Sequence, residues 1–262
     1  LRFRAYPISL SPQILTWRWR GRLLSGLCLL WIAAIAQASD LGERIAPCTV
    51  CHGDQGRSGR DAYYPRIAGK PAGYLLNQLH HFQAGRRHYA WMTALVDPLP
   101  ESFLTEIAEH FAALNPPYAP PTPSTLAPDQ IELGRRLVLE GDPGRALPAC
   151  VQCHGQQLMG LQPAIPGLLG LTRGYLVAQI GAWQAGSRRA DDPDCMAGIA
   201  KKLQPQESAA IAQWLAAQPV PAMAKPAIEP TRKLPLKCGG IPQSSALQTV
   251  GERPQTESGR LR

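Results

Sequence analysis

The sequence predicts an all-α protein built from two tandem copies of one small domain, and three observations carry that prediction. The first is a repeat: ten positions between Pro65 and Arg87 are identical to those 101 residues further on, among them Gly69/Gly170, Tyr74/Tyr175, Gln78/Gln179, Gln83/Gln184 and Arg87/Arg188. The second is apolar spacing of helical period, in Phe103, Ile107, Phe111 and Leu114 and again in Ile211 and Leu215. The third is that no stretch alternates convincingly with period two, the mark of a half-buried strand.

The repeat extends in both directions with small drifts in register. Upstream, at an offset of 102, Cys48-Thr49-Val50-Cys51-His52-Gly53 matches Cys150-Val151-Gln152-Cys153-His154-Gly155. Downstream, at an offset of 104, Met92 matches Met196, Leu99 matches Leu203, and Ile107-Ala108 matches Ile211-Ala212. Drifts of this size fit short loop insertions on a shared scaffold.

Residues 1–38 read as an export signal. Five Arg and no acid accompany Leu23–Ala36, an uncharged run of 14 residues, and Ala36-Gln37-Ala38 follows as a small-x-small cleavage pattern. As a helix the run spans roughly 21 Å, short of the ~30 Å hydrocarbon core, although an uncleaved anchor is the alternative. Cleavage near Ala38 places the mature chain in the periplasm, where thiols oxidise.

The first copy occupies 39–115. A short helix is expected around Leu41–Ala46, a middle helix over Tyr74–Ala84 closed by Gly85, and a last helix through Phe103–Leu114. Residues 116–128 hold six Pro and form a semi-rigid linker. The second copy, 129–219, repeats the pattern with helices around Asp129–Glu140, over Tyr175–Ala185 closed by Gly186, and after Pro205. Residues 220–262 are rich in Pro, Ser and Thr, lack periodicity, and are expected to be a poorly ordered basic tail.

Composition narrows the function. The formal charge is +8, but residues 39–219 carry 15 basic and 16 acidic residues, so the excess belongs to the two ends. A nucleic-acid binder concentrates its charge on the folded part, and that class is set aside. The sequence offers no nucleophile–base pair and no phosphate-cradling glycine loop.

The two Cys-x-x-Cys-His motifs carry the chemistry. Two thiols at this spacing add across the two vinyl groups of a haem, and the adjacent His turns under the ring to ligate iron. Cys48, Cys51, Cys150 and Cys153 are therefore assigned to covalent haem attachment, and His52 and His154 to iron. A zinc site needs paired knuckles folding together, whereas these motifs stand 102 residues apart. A thioredoxin-like reading needs a βαβ setting that is absent here.

Each iron has a second axial position. Met92 and Met196 stand 40 and 42 residues after the haem His, in equivalent places, and a thioether favours Fe(II) as an electron carrier requires. The alternative is that both are core methionines. Met159 follows His154 too closely, Met223 lies in the tail, and His80, His81 and His88 have no histidine counterparts in the second copy.

This double pattern, with Tyr64-Pro65-Arg66-Ile67-Ala68-Gly69-Lys70 between motif and methionine, resembles the dihaem class I cytochromes c of the cytochrome c4 type. The resemblance covers about residues 39–218. It implies two class I cytochrome domains, each wrapping one covalent haem, placed for electron exchange. It also implies that the Pro65 and Pro166 carbonyls accept from Nδ1 of His52 and His154, and that Gly42 and Gly134 sit where the first helix crosses the last. The second copy departs from the pattern, lacking Lys or Gln after Gly170, and carries Cys195 directly before Met196.

The resemblance implies an electron carrier without catalysis of its own. Its expected donor is a quinol-oxidising complex or a dehydrogenase, its acceptor a terminal oxidase, and any membrane association runs through a partner. Two alternatives remain open: a haem subunit of a dehydrogenase complex, and a dihaem enzyme with one displaceable ligand. The pairs Arg86-Arg87, Arg188-Arg189 and Lys201-Lys202 are candidates for steering an acidic partner. Cys195 and Cys238 are left over. A bridge between them would tie the tail beside Met196, but the aperiodic setting of Cys238 favours a free exposed thiol.

Overall fold

The computed structural model describes residues 40–58, 63–221 and 225–242; the expected export signal lies outside them. A division into two compact units falls after Pro47, and both Cys-x-x-Cys-His motifs lie in the second. Helix α1 (Asp40–His52) crosses the boundary, with Pro47 inside it and Ile45 buried in the first unit. Among the described residues no helix is long and apolar enough to cross a membrane.

In the first copy the last turn of α1 leads into a 3₁₀ turn and then α2 (Ala72–Gln83), α3 (Ala90–Val96) and α4 (Glu101–Ala113). Leu75, Leu79 and Phe82 of α2 are buried, as are Phe103, Leu104, Ile107, Ala108 and Phe111 of α4. This is the i, i+3, i+4 stripe that the sequence displays. Helix α2 ends where expected because Gly85, at φ +64°, takes the left-handed conformation that stops it; Gly186 does the same at +74°.

The second copy comprises α5 (Pro128–Leu139), α6 (Cys150–His154), α7 (Arg173–Gln184), α8 (Cys195–Ala200) and α9 (Pro205–Ala216). Here the helix before the Cys motif stops short, whereas α1 runs through its motif without a break. The cause is a ten-residue insert, Glu140–Ala149, that turns at Gly141 (φ +73°), where a Cβ would lie 2.5 Å from the Leu147 carbonyl. A hairpin of two-residue strands, β1 (Gly160–Leu161) and β2 (Ile165–Pro166), is too short to leave a period-two trace.

Helices α5 and α9 cross at Gly134, where a Cβ would collide with the Ala210 carbonyl. The implied close crossing is thus present in the second copy.

The segment between the copies is fastened rather than loose. Arg66, buried, donates from Nη2 and Nη1 to the Pro116 and Pro117 carbonyls (2.6 and 3.1 Å) and stacks 3.7 Å over the Tyr118 ring. Thr122 N donates to Ala216 O, and Gln213 Nε2 to Thr125 Oγ1.

The expectation of a poorly ordered tail needs correction over 225–242. Ala227 pairs with Leu161 beside the hairpin, exchanging backbone bonds with Gly160 and Gln162 at 3.0 and 2.8 Å. Further on, Gly239 N donates to Pro193 O, and Gly240 O accepts from Asn77 Nδ2 of the first copy. Cys195 and Cys238 are disulfide-bonded, not free. An aperiodic segment gains its partners from another part of the chain, which composition does not reveal. Residues 243–262 lie outside the described ones.

Candidate haem sites

Cys48, Cys51 and His52 occupy the last turn of α1, and Cys150, Cys153 and His154 make up α6. Spacings of three and four residues put both sulfurs and the imidazole on one face of one turn. Behind each His the same brace recurs: His52 Nδ1 donates to Pro65 O at 2.8 Å, and His154 Nδ1 to Pro166 O at 2.7 Å. A carbonyl only accepts, so Nδ1 carries the proton and Nε2 keeps its lone pair.

Burial lowers the proton affinity of both imidazoles, opposed by these carbonyls; Arg87 adds to the lowering at His52 and Lys70 at His154. Each ring is thus held neutral, the state that binds a metal. Burial also pushes the Cys48 and Cys153 thiols up and Cys150 to about 12, with Cys153 adding to the last. Sulfurs in such surroundings suit neutral thioethers better than thiolates.

Met92 and Met196 each stand third and second in their helices, α3 and α8, and both are half-buried. Each helix is clamped at its far end by the repeated glutamine. Gln83 Nε2 donates to the Val96 and Leu99 carbonyls (2.8 and 3.1 Å), and Gln184 Nε2 to those of Ala200 and Leu203 (3.0 and 2.9 Å). Asp194 caps α8 by accepting from Ala197 N. These clamps are positioning residues that the repeat marked as identical without disclosing their role.

Three of the rival ligands are engaged elsewhere. Met159 is buried among Leu137, Leu158 and Leu169 in the second-copy core. His80 Nε2 lies 2.7 Å from Glu101, and His81 Nε2 lies 3.2 Å from Asp191 of the other copy. Met223 lies outside the described residues.

The two copies meet through their repeated residues. Arg87 donates to Gln78 Oε1, Gln179 Oε1 and Tyr175 Oη; Arg188 donates to Gln179 Oε1, Gln78 Oε1 and Tyr74 Oη, all within 2.7–3.4 Å. Each guanidinium also lies over an aromatic ring, Arg87 over Phe82 and Arg188 over Trp183. Arg86 pairs with Asp191 across the same interface. These arginines are consequently interface residues and not the steering patch suggested by sequence.

A haem fits these surroundings. Thr93 Oγ1, next to Met92, and Trp183 Nε1 are buried with no hydrogen-bond partner. Arg66, Lys70 and Arg188 are buried, yet no Asp or Glu is among the described buried residues. A group bringing its own carboxylates and hydrogen-bond acceptors answers both deficits.

No protein-family model matches the chain. It is 38% identical over 193 residues to the thiosulfate dehydrogenase electron acceptor of Thiomonas intermedia, across 73% of this chain and 87% of that one. It is 32% identical to the cytochrome c4 of Pseudomonas aeruginosa, across 74% of this chain and 94% of that one. Among solved structures it resembles reduced cytochrome c4 from Pseudomonas stutzeri, with TM-score 0.58 and 28% identity over 68% of this chain and 95% of that one. It also resembles the thiosulfate dehydrogenase TsdBA of Marichromatium purpuratum, with TM-score 0.60 and 32% identity over 66% of this chain; the match spans 36% of that longer chain.

Proposed function

Because the chain belongs to the cytochrome c4 family of dihaem cytochromes and so carries two covalent haem c groups, we propose that it is a periplasmic electron carrier fed by a dehydrogenase of the thiosulfate-oxidising class. Electron transfer is the chemistry the haems supply when bound. In this reading Cys48, Cys51, Cys150 and Cys153 would hold them, and His52 with Met92 and His154 with Met196 would ligate the irons. Six-coordinate iron leaves no site for substrate, so the chain catalyses nothing alone and passes its electrons to a terminal oxidase or similar acceptor.

The observation that carries this reading is the duplicated brace, one His Nδ1–Pro carbonyl bond in each copy, held together by the reciprocal Arg87–Arg188 network. Two rigidly oriented imidazoles in one compact unit would hold two haem irons, one in each copy. The donor class rests on the name of the Thiomonas relative. The match to part of TsdBA favours a second reading, a haem unit bound stably to its dehydrogenase.

Stopped-flow absorbance of the oxidised holoprotein tests both. Thiosulfate with a thiosulfate dehydrogenase should reduce both haems, and thiosulfate alone should not. Reduction by thiosulfate alone would indicate an enzyme instead. Co-elution of the two proteins during gel filtration separates the stable complex from the diffusing carrier.

A further inference from the structure

The two copies are not equivalent where the first abuts the brace of the second. Lys70, just before α2, is buried and donates from Nζ to the Gly167 carbonyl at 2.7 Å. Gly167 directly follows Pro166, whose carbonyl holds His154. Three residues after Lys70, Gly73 also presses on this segment: a Cβ there would lie 2.8 Å from the Pro163 carbonyl. Gly167 is closed in from its other side, where a Cβ would lie 2.5 Å from the Met159 carbonyl. The His154 brace is therefore packed from the opposite copy.

Among the described residues nothing reciprocal acts on the first copy. The position matching Lys70 at the 101 offset is Leu171, an apolar core residue, and a Cβ at Gly174 would meet nothing within 4 Å. The loop that braces His52 is tied to the linker by Arg66 instead.

Resting on the dihaem carrier reading, we propose that Lys70 sets the two haems apart, raising the reduction potential of the second haem from across the domain interface. A buried positive charge disfavours the more positive ferric form, and it acts through surroundings that screen it poorly. Its hydrogen bond, to the carbonyl of the next peptide, Gly167–Leu168, holds the ammonium in place and fixes the segment that carries Pro166. The charge sets the sign of the effect. The step it favours is the passage of one electron from the first iron to the second, reducing the second as the first is oxidised, with no bond made or broken.

The test is a redox titration of the holoprotein at pH 6, with each haem followed by its own methyl proton resonances. Met92→Ala and Met196→Ala assign the two sets. Burial and the nearby Arg66 lower the Lys70 pKa to about 7, so the ammonium is protonated under these conditions. Lys70→Gln keeps a donor for Gly167 O while removing the charge, Lys70→Met removes both, and Lys70→Arg keeps the charge.

The Gln variant should lower the equilibrium constant for transfer to the second haem about tenfold, equal to about 59 mV for a one-electron couple. The Met variant should lower it at least as much, the Arg variant should stay near wild type, and the first haem should not move. If both haems shift together, or Lys70→Gln leaves them in place, the proposal is overturned. The Gln and Arg variants decide the matter even if the Met variant does not fold. A wild-type titration showing fewer than two one-electron haems would instead overturn the carrier reading itself.

Discussion

Arg87 and Arg188 lie antiparallel across the interface, and each guanidinium reaches the glutamine of both copies, Gln78 and Gln179. Two like charges are thus held side by side by shared neutral acceptors and by the faces of Phe82 and Trp183. The arrangement explains why duplication left these positions identical: each must serve its own copy and its twin. Arg87→Met and Arg188→Met should each destabilise the holoprotein by about 1–3 kcal/mol, because half-buried glutamine oxygens lose donors. The double variant should depart from additivity by at least ~0.5 kcal/mol in denaturant melts. Strict additivity would mean that the two arginines act independently.

Replacing either half-buried methionine should disturb one haem only. Met92→Ala should open the first haem to an added ligand such as imidazole, and Met196→Ala the second, while the His and thioether attachments persist. Difference absorbance titration counts the new sites. An unchanged spectrum for Met92→Ala would return His88, the exposed histidine nearby, to consideration.

The α5–α9 crossing makes a sharp contrast between two glycines. Gly134→Ala drives a methyl group into the Ala210 carbonyl and should cost about 1–3 kcal/mol. Gly174→Ala, near the start of α7 with open space around it, should be neutral or add up to about 1 kcal/mol. Thermal melts of both holoproteins check the pair.

Stability should fall on mild acidification, in part through His81. Burial lowers its pKa below the ordinary 6.5, and Asp191 only partly opposes this. The unfolded chain therefore takes up the proton first. The contribution of this group is present above pH 6.5 and is lost as the pH falls through that value towards the lower folded pKa. His81→Gln should flatten the slope of melting temperature between about pH 7 and pH 5. An unaltered slope would assign the acid sensitivity to other groups.

The Cys195–Cys238 bridge closes a span of 43 residues and ties the tail beside Met196. On the chain-entropy account it stabilises by roughly 4 kcal/mol at most. The Cys195→Ser/Cys238→Ser double variant should melt earlier and become open to proteases between 225 and 242, while both haems remain attached. Thiol titration of the denatured, unreduced wild type should find neither of these two sulfurs free.

The haem chemistry was legible in the sequence because it is local. Cys48, Cys51 and His52 share one helical turn, so spacing alone places their side chains on one face, and duplication repeats the argument at Cys150, Cys153 and His154. Helices α2, α4, α7 and α9 were legible for a similar reason, since the apolar stripes of α4 and α9 and the closing glycines of α2 and α7 lie within a dozen residues. What only the tertiary structure decided involves partners far apart along the chain. Identity between the copies marked Arg87 and Arg188 without saying that they face each other. Nothing in the spacing links Lys70 to Gly167 or Ala227 to Leu161, and it could not say that Cys238 finds Cys195. Such pairings depend on which backbone groups the packed helices leave within reach, and burial makes those groups bond to whatever the fold brings near.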